Sequence, residues 1–145
     1  MKAREIMTAN VECVTRQDSL TRAAQIMRDT DVGAVPVVDD RSSMRLVGVI
    51  TDRDIAVRHV AGDNAANCSV GDHMTSGRIF TVRPDDDVKD VMRTMKSEQV
   101  RRVPVTEGER LVGIIAQADI ATSDVGDKET GDVVEKVSEP GHRGR

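Results

Sequence analysis

Aromatic side chains are almost missing from this chain: its 145 residues include one phenylalanine, Phe80, and neither tryptophan nor tyrosine. That removes the stacking platforms on which single-strand nucleic-acid binders rely, and it leaves any purine ring to pack on aliphatic groups. Cysteine is scarce too. Cys13 and Cys68 are too few for a disulfide framework and, unaided, for a tetrahedral zinc site. No apolar run approaches the length of a membrane span, and the N-terminal MKAREIMTAN lacks the apolar core of a signal peptide, so a cytoplasmic location is expected. Charge of one sign does not dominate either: 21 Lys and Arg against 25 Asp and Glu give a net charge of −4. Such a balance offers no global attraction to nucleic acid, and any anion site must be local.

What the chain does have is a repeat. Met7 and Thr8 recur as Met74 and Thr75, the VPV of residues 35–37 recurs at 103–105, LVG at 46–48 recurs at 111–113, and Asp54 recurs as Asp119. The offsets are 67, 68, 65 and 65 residues, so the register slips only in short segments that should be loops. Leu20, Ala23, Ala24 and Met27 fall at i, i+3, i+4 and i+7, and Val88, Val91, Met92 and Met95 repeat that spacing, which predicts one amphipathic helix per repeat. Asp18 or Ser19 opens the first helix; the run 84–87, with its three aspartates, opens the second. The methionines at 27, 92 and 95 read as core filling.

After each helix come VGAVPVV or RRVPVT, a turn-like DDRSSM or EGER, and LVGVI or LVGII, together a predicted β-hairpin. A second helix is predicted over 51–60 and again over 116–122. The fold class is therefore α+β, with two β-α-β-β-α units. A unit of this size buries only ~60% of its unfolded surface, so the expected arrangement packs the two sheets face to face about a pseudo-twofold axis. The division read from the sequence is repeat one at 1–60, a small polar linker at 61–72, repeat two at 73–123, and a glycine-rich tail at 124–145 expected to be disordered.

Two short motifs carry the chemistry. TDRD at 51–54 puts a hydroxyl and a carboxylate at a strand-to-helix junction, where backbone N–H groups favour an anion. Arg101 and Arg102, ahead of the second VPV strand, supply forked donors suited to phosphate. A structural reading stands beside each: Thr51 and Asp54 as a capping box, and the arginines as a solvated charged pair. Cys68 and His73, spaced Cys-x4-His, form with His59 a candidate metal or redox cluster. No Ser/His/Asp or Cys/His constellation is suggested by position, so the chain is not expected to be an enzyme.

The doubled pattern of an h-P-V strand followed by h-x-G-h-h-T-x-x-D resembles the CBS domain, and two in tandem resemble a Bateman module. The resemblance covers about residues 4–123 and extends to stand-alone bacterial CBS-pair proteins, some of stress or hypoxic-response type. It implies a non-catalytic sensor, usually a homodimer, that needs no cofactor and binds an adenosine-containing ligand of the AMP, ADP or ATP class. By the resemblance, Thr51 lies near phosphate, Asp54 accepts from the ribose, Arg101 and Arg102 reach the phosphates, and Ile79 and Phe80 line the adenine. The second cleft it implies would combine Ala116 and Asp119 with Gly33 and Ala34. That set lacks the hydroxyl and both arginines, so one competent site and one degenerate site are expected, with Asp119 the remaining candidate ligand. Neither membrane nor nucleic acid is an expected partner. The alternative function is a thiol or metal redox stress sensor acting through Cys13, Cys68 and the nearby His59 and His73, with no nucleotide.

Overall fold

Two three-stranded sheets organise the computed structural model, which describes residues 1–62, 68–77 and 79–122. The chain divides into two compact units, Glu12–Ile79 and a second made of Met1–Val11 with Phe80–Arg145. The spatial division thus differs from the sequence division at 1–60 and 73–123. Each unit takes its edge segment from the other end of the repeat pattern.

In the unit Glu12–Ile79, β2 (Val14–Thr15) runs parallel to β3 (Ala34–Val38), which pairs antiparallel with β4 (Leu46–Thr51). Between β2 and β3 lies α2 (Leu20–Thr30), and after β4 come a π-helix (Asp54–Val60) and the short α3 (Val70–His73). In the second unit, α1 (Ala3–Ile6) and β1 (Thr8–Ala9) join α4 (Val88–Glu98), β5 (Arg102–Glu107), β6 (Arg110–Ala116) and α5 (Gln117–Ala121), in the sheet order β1-β6-β5.

The Met-Thr segments explain the exchange. Thr8 pairs with Ile114, and Thr75 bridges Val49 in the same way. Both crossings run over the glycine of LVG: a Cβ on Gly48 would stand 2.8 Å from the Thr75 carbonyl oxygen, and one on Gly113 only 2.6 Å from Met7 Sδ. Only a residue without a side chain lets the backbone approach that closely. The two hairpins share a further detail, a register shift after Val37 and after Val105.

The central helices have matching ends. Ser19 Oγ accepts from the Arg22 N–H at 3.0 Å, and Asp87 Oδ1 accepts from the Lys89 N–H at 2.9 Å. At their C-termini Asp31 (φ 54°) and Gln99 (φ 54°) hold left-handed backbone, and the N–H groups of Val32 and Val100 turn back to Met27 and Met95. The three aspartates of the second helix start divide their work: Asp87 caps, Asp86 accepts from the Arg83 N–H at 2.8 Å, and Asp85 pairs with Arg4.

Each unit has its own core. One gathers Val14, Leu20, Ala23, Ile26, Val35, Val37, Ile50 and Val70; the other gathers Val82, Val88, Val91, Met95, Val103, Val105 and Ile115. Met27, Met92 and Met95 are buried as expected.

Three expectations are corrected. Ala24 is exposed and Ile26, about 200° away round the helix, is buried in its stead, because the core-facing side is centred near Ala23 and Met27 and turned away from Ala24. The helix after β4 is wider than an α-helix: the Ala61 N–H donates to the Ala56 carbonyl, five residues back, at 3.0 Å. A periodic apolar pattern does not report that widening. Finally, 61–72 is not simply a linker. Val70 is fully buried, and Asp72 Oδ2 accepts from the Ser69 N–H at 3.1 Å to open α3, just as Glu5 accepts from the Lys2 N–H in α1. The small, polar composition hid a structured turn anchored by one valine. The tail expected at 124–145 lies outside the described residues.

Candidate functional site

Thr51 ends β4, where it pairs with Ala34, and Asp54 opens the π-helix three residues later. The two side chains cap reciprocally: Thr51 Oγ1 accepts from the Asp54 N–H at 3.0 Å, and Asp54 Oδ2 accepts from the Thr51 N–H at 2.9 Å. This is the capping box foreseen as the structural reading, and it also orients both groups. Asp54 is 7% exposed, yet its second oxygen accepts no hydrogen bond among the described residues. That Oδ1 faces Arg58 Nε at 3.6 Å, an ion pair rather than a close hydrogen bond. Arg58 was missed in the sequence reading, although its i+4 spacing from Asp54 was a usable signal.

The equivalent junction keeps half of this device. Ala116 ends β6, and its N–H donates to Asp119 Oδ2 at 2.7 Å, but alanine has no oxygen to return the bond. Asp119 is half-buried.

Arg101 is exposed and Arg102, the first residue of β5, is half-buried. The Arg101 carbonyl accepts from the Gln117 N–H at 2.8 Å, matching the bond from the Asp52 N–H to the Gly33 carbonyl at 2.9 Å. Neither guanidinium makes an ion pair or hydrogen bond among the described residues, so both retain their donors. Thr51, Asp54 and Ile79 belong to the unit Glu12–Ile79, whereas Phe80, Arg101, Arg102 and Asp119 belong to the other. Ile79 and Phe80 are both half-buried.

His59, Cys68 and His73, the sequence candidates for metal, are brought together within the unit Glu12–Ile79, with ligand atoms all within 4.8 Å of one another. Cys13 is elsewhere, its sulfur 4.0 Å from Met44 Sδ, and burial pushes its thiol up despite the opposing charge of Arg41. A thiol held protonated is a poor nucleophile and a poor metal ligand.

These features define a class: two α+β units of one design, each with an acid at its last strand-to-helix junction and only one with the full Thr-Asp pair. The pattern of the CBS domain matches residues 3–59 and again 70–126, and the chain belongs to that family as a CBS-pair regulatory module. Hypoxic response protein 1 of Mycobacterium tuberculosis is 41% identical over 119 residues, covering 82% of each chain. A crystal structure of Hypoxic Response Protein I with two coordinated zinc ions is 39% identical, with a TM-score of 0.74 over 83% of this chain and 97% of that one. The CBS domain pair of protein MJ0100, solved with 5-methylthioadenosine and S-adenosyl-L-methionine, is 27% identical, with a TM-score of 0.71 over 83% and 93%. CBSX2 in complex with AMP is 25% identical, with a TM-score of 0.70 over 83% and 92%. Among the described residues no helix is long and apolar enough to cross a membrane.

Proposed function

We propose that this chain is a non-catalytic sensor of an adenosine-containing ligand of the AMP, ADP or ATP class. The observation that carries the reading is Asp54: a buried carboxylate oriented by Thr51, with one oxygen that accepts no hydrogen bond among the described residues. A carboxylate oxygen in that state suits the paired hydroxyls of a ribose. Arg101 and Arg102 are the phosphate donors in this reading, with Ile79 and Phe80 against the base. Their assignment rests on the doubled family pattern. The second Thr-Asp equivalent, Ala116 and Asp119, is degenerate for phosphate. The AMP of CBSX2 and the adenosyl ligands of MJ0100 support the ligand class, and the likeness to Hypoxic response protein 1 supports a role in stress response.

The same reading has the chain acting as a cytoplasmic homodimer. A chain with only two cysteines suits a reducing compartment, and Val57 and Val60, 50% and 69% exposed on the π-helix, suit a face that a second copy covers. Light scattering at micromolar concentration tests the dimer.

Calorimetric titration with AMP, ADP, ATP and S-adenosyl-L-methionine tests the ligand. Saturation near one ligand per chain, weakened at least about tenfold by Arg101→Ala with Arg102→Ala, is the expected result; tenfold is 1.4 kcal/mol. No heat with any of the four on folded protein overturns it.

A further inference from the structure

Three side chains that nucleotide binding does not use converge in the unit Glu12–Ile79. His59 is the penultimate residue of the π-helix, Cys68 stands just ahead of α3, and His73 is the last residue of α3. All three are half-buried, and their ligand atoms lie within 4.8 Å of one another. The two imidazole rings have centroids 5.2 Å apart and are inclined at 70°, an arrangement in which both can aim a nitrogen at one point. His59 Nδ1 and His73 Nε2 are buried, and His73 Nε2 has no hydrogen-bond partner among the described residues. Burying a ring nitrogen without a partner is costly, and a metal ion removes that cost.

The donor set selects the ion. Magnesium and calcium require oxygen ligands, which this cluster lacks, whereas two imidazoles and a thiolate suit zinc and its neighbours. Around tetrahedral zinc the donors sit about 2.0–2.3 Å from the ion, hence about 3.3–3.8 Å from each other. Drawing the ligand atoms inward by about 1 Å closes the site, a shift within reach of side-chain rotation. The geometry points to a single site for a zinc-class divalent metal held by His59, Cys68 and His73, with its fourth position filled from outside these three. An ion there ties the end of the π-helix to α3, two segments that approach each other across the stretch between Gly62 and Cys68. Among the described residues the second unit shows no such cluster, and one repeat earlier than Cys68 and His73 stand Met1 and Ile6.

The test uses the full chain without a histidine tag, stripped with a chelator and titrated first with cobalt(II), then with zinc, in the absence of nucleotide. One equivalent of cobalt per chain should produce a thiolate-to-cobalt charge-transfer band and intense tetrahedral visible bands, both bleached by zinc. Cys68→Ser should remove the charge-transfer band, His73→Ala should weaken zinc binding at least about a hundredfold, and Cys13→Ser should change neither. Zinc should also raise the melting temperature of the unsubstituted chain and not that of Cys68→Ser. A folded protein with no charge-transfer band, or a band that survives Cys68→Ser, overturns the site.

Discussion

The two units share one design down to individual bonds, yet only one carries the complete chemistry. Each has a capped central helix ending in a left-handed residue, a hairpin shifted in register at the same place, and a Met-Thr segment laid over a glycine. The unit Glu12–Ile79 adds a reciprocal Thr51–Asp54 cap and the His59, Cys68, His73 cluster. The other unit keeps Asp119 with one bond where Asp54 shares two. The scaffold is thus set by packing that both repeats must satisfy, while the polar groups at the junctions are free to diverge.

The largest expected effect that tests this comparison comes from the glycines. Gly48→Ala places its Cβ against a backbone oxygen at 2.8 Å, which cannot step aside, whereas in Gly113→Ala the first obstacle is the mobile sulfur of Met7. Urea unfolding should show a loss of about 2–3 kcal/mol for the first and about 1 for the second. Equal losses would mean that the difference between a backbone and a side-chain obstacle does not decide the cost, and that both crossings are equally rigid.

Next come the acids. Asp54→Ala removes the buried acceptor of the Thr51 N–H and the partner of Arg58, leaving the bond from its own N–H to Thr51 Oγ1, and should cost about 1–2 kcal/mol, while Asp119→Ala, which removes a less buried acceptor, should cost about half as much. Chemical denaturation of both variants at neutral pH checks the order, and a larger loss at Asp119 would contradict it. The hydroxyls give a smaller, symmetric pair: Thr51→Ala should destabilise by about 0.5–1 kcal/mol, and Ala116→Thr should restore the missing bond and gain a comparable amount. If Ala116→Thr stabilises nothing, the second junction has lost more than an oxygen.

The smallest expected effect is in acid. Burial works to raise the Asp18 carboxyl, but the Thr15 N–H and Arg41 outweigh it and hold the group below its ordinary 3.8. In the same unit the Ser43 hydroxyl and Arg45 hold Asp39 far below that value. A depressed value means stability that is present at neutral pH and is lost as pH falls below about 4, through the folded-state values. Hydrogen exchange should therefore show the unit Glu12–Ile79 losing protection in acid more steeply in the unsubstituted chain than in Asp18→Asn.

By itself the sequence determined the α+β class, the two hairpins, the central helices and the position of the acid at each last junction. These follow from apolar spacing and turn chemistry, which act over a few residues and were doubled by the repeat. The place of the methionines in the core was legible for the same reason. Ala24 against Ile26 was not, because which side of a helix faces the sheet depends on the angle at which the helix sits. The buried Val70 was hidden in a polar stretch whose one anchor has no periodic partner.

Only the tertiary structure decided that Met1–Val11 completes the sheet of the second unit and that Thr75 closes the first. Strand pairing across such distances is chosen by whole-sheet packing, not by local preference. It also decided the geometry of the metal-ligating side chains. Cys68 and His73 are near each other in sequence, but His59 reaches them only because a π-helix, invisible in a pattern of apolar residues, ends where α3 begins to pack.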